Sequence, residues 1–261
     1  MSYKIGEQNS KKLLPPWAPE LEFATDKVPS EGIEFNYPNW GPYIFDTKVD
    51  NDLIKILLEK GNESRKKNLD YRTELAGQID YEYYYEDWEE WFIPKFEIYI
   101  NSYLDTVTEY LGTRSAFDFL KIEQVTMETQ VKFLVNWHLD SMWVNFQRQH
   151  EYNPPHEHDG HLSFVIYLQV PKEIGEEKPL ANNQGPGRIC FDYGEKLPFS
   201  INNITKLPEK GNLIIFPAWL THYAHSFKSD VERISVSGNI RLFVGDDPFP
   251  LKSLSVGDDI K

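Results

Sequence analysis

Histidines are concentrated in one part of the chain, where their spacing suits a metal. Six of the seven lie in the stretch 150–225, and three of these fall in the string PPHEHDGH. Side chains two residues apart in an extended backbone point to the same face, so His156 and His158 can reach one ion together. Imidazole nitrogen suits Fe, Zn, Cu and Ni, and this pair needs a third ligand from elsewhere. The obvious supplier is His222, in the string FPAWLTHYAHSF just after the apolar run LIIF.

Two further residues indicate what could bind beside such a metal. Arg233 follows His222 by eleven positions and opens the apolar strand ISVSGNI. A guanidinium that points into a barrel is costly to bury unless an anion meets it, and its fork binds a carboxylate through two hydrogen bonds. Tyr167 stands six places after the last histidine of the string, on a strand that can share the same interior. A metal beside a carboxylate socket describes a site for a keto acid that chelates iron.

Each of these residues also has a purely structural interpretation. A loop rich in Pro, His and Asp can simply be solvated, and a histidine after an aromatic strand can be hydrogen-bonded in the core. A His-x-His pair alone is therefore a weak signal. The combination of the pair with His222, Arg233 and Tyr167 favours the metal site.

The order of these strings resembles a known enzyme superfamily. The segments NPPHEHDGHLSFVIYL, GRICF, GNLIIFPAWLTHYAHSF and ERISVSGNI are similar to the iron(II)- and 2-oxoglutarate-dependent oxygenases, in particular to a bacterial and phage group related to prolyl 4-hydroxylases. The resemblance covers about residues 130–243, and YRTELAGQIDYEY upstream also resembles phage members. It implies a double-stranded β-helix, or jelly roll, with helices packed outside. It also implies an enzyme that uses Fe(II), 2-oxoglutarate and O₂, releases succinate and CO₂, and hydroxylates a peptide or protein side chain or a small metabolite.

The same resemblance implies a role for each site residue. It makes His156 the first metal ligand and His222 the distal one. It assigns the far carboxylate of 2-oxoglutarate to Arg233, assisted by Tyr167. No catalytic residue beyond the metal site is implied.

The chain departs from the superfamily at the second ligand. The superfamily usually has His-x-Asp or His-x-Glu, whereas this chain has His156-x-His158. In one interpretation His158 is the second ligand and the metal face has three histidines. In the other, a kink before Gly160 brings Asp159 in as the carboxylate ligand. Strand periodicity favours His158.

Two other functions remain open on the sequence. A cupin-type metalloenzyme would use three histidines and no 2-oxoglutarate, and release of succinate from 2-oxoglutarate would separate it from the oxygenase. A non-catalytic jelly-roll binding module would lack the carboxylate socket, so Arg233 and Tyr167 count against it.

The predicted secondary structure that positions these residues differs between the first and second halves of the chain. Residues 1–48 are rich in Pro and aromatic residues and predict an irregular arm. A helix capped by Asp50 or Asp52 should end near Gly61, and 3–4 spacing of aromatic residues predicts a second, long helix from Trp88 to Gly112 whose rings are mostly core. Beyond about residue 115 the runs are short, β-branched and aromatic; they are QVKFLV, MWVNF, LSFVIYL, LIIF and ISVSGNIRL.

Helices first and strands later predict an α+β fold with a jelly-roll core. We expect residues 1–114 to form an arm and helices that pack on a core at 115–261, within one integrated domain. Regular pleating would place Arg233, Asn239 and Arg241 on one face of the last strand.

Composition restricts the partners. The net charge is −14, with 27 Lys and Arg against 41 Asp and Glu, so a polyanion would be repelled and nucleic acid is not expected as a partner. No apolar run approaches the roughly 20 residues of a membrane span, and the first residues lack the apolar region of a secretory signal. The single cysteine, Cys190, excludes an intramolecular disulfide. We therefore expect a cytoplasmic enzyme, of a bacterium or an infected host cell.

Overall fold

The computed structural model describes residues 41–111, 135–178 and 185–244. The helices are α1 (Asn51–Lys67), α2 (Trp88–Trp91), α3 (Ile93–Leu111) and α4 (Lys172–Glu176), with a 3₁₀ turn at Arg72–Glu74. The strands are β1 (Phe45–Lys48), β2 (Glu82–Tyr84), β3 (Val135–Gln147), β4 (Asn153–His156), β5 (Leu162–Gln169), β6 (Ile189–Asp192), β7 (Asn203–Lys206), β8 (Asn212–Pro217), β9 (His222–Ala224) and β10 (Arg233–Val244). Of the predicted strand runs, only residues 130–134 of QVKFLV lie outside the described residues.

The strands form two antiparallel sheets. The large sheet has the order β1-β8-β5-β10-β3-β2, and the small sheet has the order β4-β9-β6-β7. From β3 onward the chain passes between the sheets at almost every step, which gives two facing groups of four strands. This is the jelly roll, or double-stranded β-helix. The predicted α+β fold with this core is confirmed.

The large sheet gains one strand at each edge from the N-terminal part of the chain. Strand β1 pairs with β8, and β2 pairs with β3. The prediction of an irregular arm is therefore wrong for Phe45–Lys48, because the edge of β8 offers unpaired backbone groups that a short segment can meet. Residues 1–40 of the predicted arm lie outside the described residues. We continue to propose that 1–114 and 115–261 form one integrated domain.

Helix α1 begins as predicted but ends later. The Asp50 carboxylate accepts a hydrogen bond from the Leu53 N–H at 2.7 Å, which confirms the N-cap. The helix then passes through Gly61 and ends at Asn68, whose φ of 53° is left-handed. Gly61 is buried, and a Cβ there would lie 2.9 Å from the hydroxyl oxygen of Tyr85. This glycine therefore permits close packing and does not stop the helix.

The second predicted helix is divided in two. Helix α2 ends before Phe92 and α3 begins at Ile93. Pro94 lies in the first turn of α3. A backbone N–H there would have no acceptor within the helix, so proline causes no loss of a hydrogen bond. The aromatic rings behave as predicted, since Phe92, Phe96 and Tyr103 are buried in the core. The predicted end at Gly112 lies outside the described residues.

The two faces of the large sheet have different neighbours. On β10 the side chains of Ile234, Val236 and Ile240 pack into the core that α1 and α3 share with this sheet. The alternate residues face the space between the sheets, among them Arg233, Ser235 and Ser237. This alternation is what brings a charged side chain into the interior.

The prediction that Arg233, Asn239 and Arg241 share a face agrees with the alternation along β10, because Ile234, Val236, Ile240 and Leu242 all pack into the core on the other face. The pairing of β10 with β3 shifts register between Asn239 and Ile240. Arg241 forms an ion pair with Asp140, the residue that this shift leaves unpaired on β3, and like Asn239 it is not among the residues that line the cavity. None of the helices in the described part of the chain is both long and apolar enough to cross a bilayer.

Candidate active site

Three histidines meet between the two sheets. Antiparallel pairing of β4 with β9 places His156 directly opposite His222. His158 lies just past β4, where its backbone N–H donates to the carbonyl of Ala218 at 3.0 Å. The three ring centroids are 4.3 to 5.0 Å apart, and one nitrogen from each ring lies within 4.8 Å of the others. This spacing allows one metal ion to bind all three rings.

Backbone carbonyls orient two of the rings. The Nδ1 atom of His156 lies 2.7 Å from the carbonyl oxygen of Pro154, and Nδ1 of His222 lies 2.9 Å from that of Leu220. A carbonyl only accepts, so in each ring Nδ1 carries the hydrogen and Nε2 keeps its lone pair. Because both carbonyls lie two residues before their histidine, the local chain itself selects the tautomer that binds a metal through Nε2.

Burial keeps the three imidazoles uncharged. It lowers the pKa of His156, and it lowers that of His222 well below the ordinary value. Burial, with a smaller contribution from neighbouring His156, lowers the pKa of His158 to about 3. At neutral pH each ring is therefore neutral and can offer a lone pair, which is the state that metal binding requires.

Asp159 lies outside this cluster. Its side chain is exposed, and the group of possible ligands contains only His156, His158 and His222 among the described residues. His161, next along the chain, accepts a hydrogen bond at Nδ1 from the backbone N–H of Leu242 at 2.9 Å. The structure thus brings together the three predicted histidines and not the alternative carboxylate.

Arg233 and Tyr167 line the same cavity as the histidines. The cavity encloses about 500 Å³, including its open mouth. Its wall also contains Trp143, Asn145, Asn153, Val165, Ile189 and Phe216. The predicted metal and carboxylate groups are therefore neighbours in one space.

In the part of the chain that the structure describes, the guanidinium of Arg233 donates to neutral acceptors. The side chain is 3% exposed; Nη1 donates to the carbonyl of Gly187 at 2.5 Å, and Nη2 donates to Oε1 of Gln147. Nε is buried and has no hydrogen-bond partner in the described residues, none of which forms an ion pair with Arg233. Burial lowers the pKa of Arg233, but a guanidinium stays charged in proteins. A buried charge with an open N–H requires an anion.

Tyr167 lies beside this charge. The Arg233 guanidinium carbon is 5.5 Å from the centre of the Tyr167 ring. Burial raises the pKa of Tyr167 to about 12, so its hydroxyl keeps its proton and can donate to a carboxylate.

Sequence reasoning missed Gln147 and Gly187, which hold the guanidinium. Gln147 is the cross-strand partner of Arg233 in the β10–β3 pairing, a relation that depends on register. Gly187 has φ 62°, and a Cβ there would collide with Ile174. The only local signal for this contact was Gly187 itself, the second glycine of the string GPGRICF.

The comparison with protein families agrees with this geometry. Residues 141–239, which include the three histidines, Tyr167 and Arg233, match the family described as "Putative 2OG-Fe(II) oxygenase". The resemblance inferred from the sequence is confirmed over this segment, which is similar to that oxygenase family. The match supports an iron(II)- and 2-oxoglutarate-dependent oxygenase, and it counts against both the non-catalytic binding module and the cupin that works without 2-oxoglutarate. No curated protein matches the chain.

Several solved structures are distantly similar. A viral collagen prolyl hydroxylase from Paramecium Bursaria Chlorella virus-1, solved with 2OG, has 15% identity and a TM-score of 0.46, covering 77% of this chain and 96% of that one. A Pseudomonas putida prolyl-4-hydroxylase has 12% identity and a TM-score of 0.42, covering 75% and 90%. A Trichoplax adhaerens prolyl hydroxylase, in complex with a hypoxia inducible factor peptide fragment, has 10% identity and a TM-score of 0.43, covering 78% and 83%. The family match carries the assignment.

The residues present fit both cofactors of the family. Three neutral imidazoles are suitable ligands for Fe(II). The open Nε of buried Arg233 fits a carboxylate.

Proposed function

We propose that the enzyme hydroxylates a peptide or protein side chain or a small metabolite, with consumption of O₂ and release of succinate and CO₂ from 2-oxoglutarate. The observation that supports this most is the shared cavity, in which three neutral imidazoles face a buried guanidinium that has no anionic partner among the described residues. We also propose that the protein works in the cytoplasm.

In this proposal His156, His158 and His222 bind Fe(II) through their free ring nitrogens. Carbonyls of Pro154 and Leu220 keep two of the rings in the tautomer that this requires. Three neutral ligands leave both positive charges of the ion uncompensated, whereas a carboxylate ligand would cancel one. A site of this charge favours a dianion such as 2-oxoglutarate.

Arg233 would bind the far carboxylate of 2-oxoglutarate, with Tyr167 donating a further hydrogen bond. The acceptors on Gln147 and Gly187 restrain the guanidinium before the ligand arrives, so little of its rotamer freedom remains to be lost on binding. Because no protein carboxylate neutralises this charge in the described residues, its attraction for the ligand is not diminished by competition.

Bound Fe(II) and 2-oxoglutarate together would supply the oxidising chemistry. The protein itself would bind and orient the iron and 2-oxoglutarate and shield them from water. Val165, Ile189 and Phe216 form an apolar wall beside the histidines and reduce the access of water to the reacting groups. The open mouth of the cavity is the route for substrate.

An anaerobic titration tests this proposal. Fe(II) is added to the metal-free protein, then 2-oxoglutarate, and the visible charge-transfer band of the ternary complex is recorded; air is then admitted and succinate is measured. We expect the band and succinate in the wild type and in His138→Ala, whose exposed ring lies outside the cluster, and neither signal in His222→Ala. A wild type without band or succinate at millimolar 2-oxoglutarate would contradict the proposal and favour the three-histidine cupin.

A further inference from the structure

A buried carboxylate lies beside the active-site cavity. Strand β2 pairs with β3 so that Glu82 is opposite Asn145 and Tyr84 is opposite Trp143. Cross-strand partners point to the same face, and Asn145 and Trp143 line the cavity. Tyr83, between them in sequence, packs into the core on the other face. Glu82 therefore lies on the cavity side of the sheet.

Three acceptor groups meet at this place. Asn153, at the start of β4, also lines the cavity. A Cβ built on Gly77 would collide with Oδ1 of Asn153 and lie 2.9 Å from Oε1 of Glu82, so both oxygens adjoin one point. The absence of a side chain at Gly77 leaves room for them.

Among the described residues, two of these side chains have a buried oxygen without a hydrogen-bond partner. Glu82 is 1% exposed, and its Oε2 has no hydrogen-bond partner in the described ranges. Asn145 is 4% exposed, and its Oδ1 likewise has none there. Burial, reinforced by Glu151, raises the pKa of Glu82 to about 8. The nearby cation Arg72 is bound to Asp70 at 2.7 Å. Without a cation beside it, Glu82 therefore keeps its proton near neutral pH, and a cationic group that binds there would stabilise the ionised carboxylate.

Aromatic residues occupy the next positions on the same face of β2 and β3, where Tyr84 is opposite Trp143. The Tyr71 ring is 6.2 Å from that of Tyr84 and 5.9 Å from that of Trp143. Trp143 is in turn 5.7 Å from the ring of His158. Aromatic faces attract ammonium and guanidinium groups, most strongly where water is excluded. The rings thus connect the acceptor cluster with the histidines.

Resting on the proposed function, we propose that Glu82, Asn145 and Asn153, with the rings of Tyr71, Tyr84 and Trp143, bind a cationic nitrogen group of the substrate, an ammonium or a guanidinium. A carboxylate with amide oxygens accepts the N–H groups of such a cation, and the rings attract its charge. A net charge of −14 favours its approach. Since Trp143, Asn145 and Asn153 of the subsite line the same cavity as the histidines, a substrate held there can present a C–H bond to the metal.

Paired peptide probes test the subsite. Four capped pentaglycine peptides carry lysine, norleucine, arginine or citrulline at the centre, so that each cation has a neutral analogue of similar shape. Each is added at millimolar concentration to the Fe(II)–2-oxoglutarate enzyme, and the change in the charge-transfer band and the rate of succinate release are measured. We expect at least one cationic peptide to stimulate succinate release about tenfold more than its neutral analogue.

Substitution of the carboxylate completes the test. Glu82→Gln should bring the cationic-to-neutral ratio close to one while the KM for 2-oxoglutarate without peptide stays the same. Glu74→Gln, at an exposed carboxylate, serves as the control and should keep the wild-type ratio. Equal responses to cationic and neutral peptides, no response to any of the four, or an unchanged ratio in Glu82→Gln would overturn the inference. Failure of the proposed function differs from these outcomes, because the band and succinate would then be missing without peptide.

Discussion

The two faces of the large sheet differ in the polarity of their buried side chains. The outer face is apolar and fully packed: Ile234, Val236 and Phe164 are buried in the core beneath the helices. The inner face carries Arg233 and Asn145, each with a buried polar atom that lacks a partner in the described residues. Unpaired buried polar groups are rare in folded proteins because they are destabilising. We infer that the outer face stabilises the sheet. The inner face carries destabilising unpaired polar groups because these groups bind ligands.

The largest effect on stability should come from the outer face. Phe96 is fully buried, with its ring 4.7 Å from those of Phe92 and Phe164. Phe96→Ala should lower the free energy of unfolding by about 3–5 kcal/mol, because it removes a buried ring and leaves a cavity. Urea denaturation measures this loss. The folded fraction should bind iron as the wild type does; loss of iron affinity in that fraction would mean that the two faces are not separable.

The largest effect on ligand binding should come from the inner face. Arg233→Ala should weaken 2-oxoglutarate binding by about 2–5 kcal/mol, because the far carboxylate loses its charged partner. Arg233→Lys keeps the charge but loses the two-pronged geometry, so its KM for 2-oxoglutarate should rise. Iron content should be normal in both variants, since Arg233 does not belong to the histidine cluster. Isothermal titration of the anaerobic Fe(II) protein with 2-oxoglutarate checks this, and wild-type affinity in Arg233→Ala would exclude the assigned role.

The pH dependence of stability offers a finer test of the inner face. His158 has a folded-state pKa of about 3, below the 6.5 of the unfolded chain. Between these two values the unfolded chain binds a proton at this site that the folded chain does not. The free energy of unfolding of the iron-free protein therefore falls by about 1.4 kcal/mol for each pH unit as the pH is lowered from 6.5 towards 3. Above 6.5 the site contributes no pH dependence. His158→Asn should reduce the slope by this amount in urea denaturation of iron-free protein below pH 6.5. An unchanged slope in His158→Asn would contradict the burial of His158.

The smallest effect is expected at the surface where the two regions meet. Arg65 of α1 donates two hydrogen bonds to Glu232, at 3.1 and 3.2 Å, and both side chains are more than a quarter exposed. Because water screens such a pair, Glu232→Gln should lower the free energy of unfolding by less than about 1 kcal/mol. The KM for 2-oxoglutarate should not change, although Glu232 adjoins Arg233 in sequence. A large rise in that KM would show that this contact positions the arginine.

The parts of the site that depend on short-range spacing could be predicted from the sequence. His156 and His158 are two residues apart, and this spacing, together with the residue type, indicated that both rings bind one metal ion. Arg233 was found because a charged residue that opens an apolar strand is unusual. By contrast, the partners Gln147 and Glu82 are visible only once β3 is paired with β10 and β2. Register is set by contacts between distant segments, which one sequence does not reveal.

The fold was predictable to a similar extent. Alternating and β-branched runs identified four of the ten described strands, β3, β5, β8 and β10, because each has one face in a core. Helix α1 shows the limit, since Gly61 ends a helix by local propensity yet here lies under Tyr85 and Val144 inside one. Tertiary packing overrides propensity at such positions. Strand β1 was missed for the same reason, because it forms by pairing with β8, which is distant in the sequence.

The most direct test of the account concerns the identity of the second iron ligand. The proteins His158→Ala and Asp159→Ala are loaded anaerobically with Fe(II) and desalted, and iron per folded chain is measured beside the wild type. The account predicts about one iron in the wild type, near-complete loss in His158→Ala and near-wild-type content in Asp159→Ala, because the His158 ring adjoins the other two histidines whereas Asp159 is exposed. Iron retained in His158→Ala and lost in Asp159→Ala would contradict the three-histidine site and restore a carboxylate ligand.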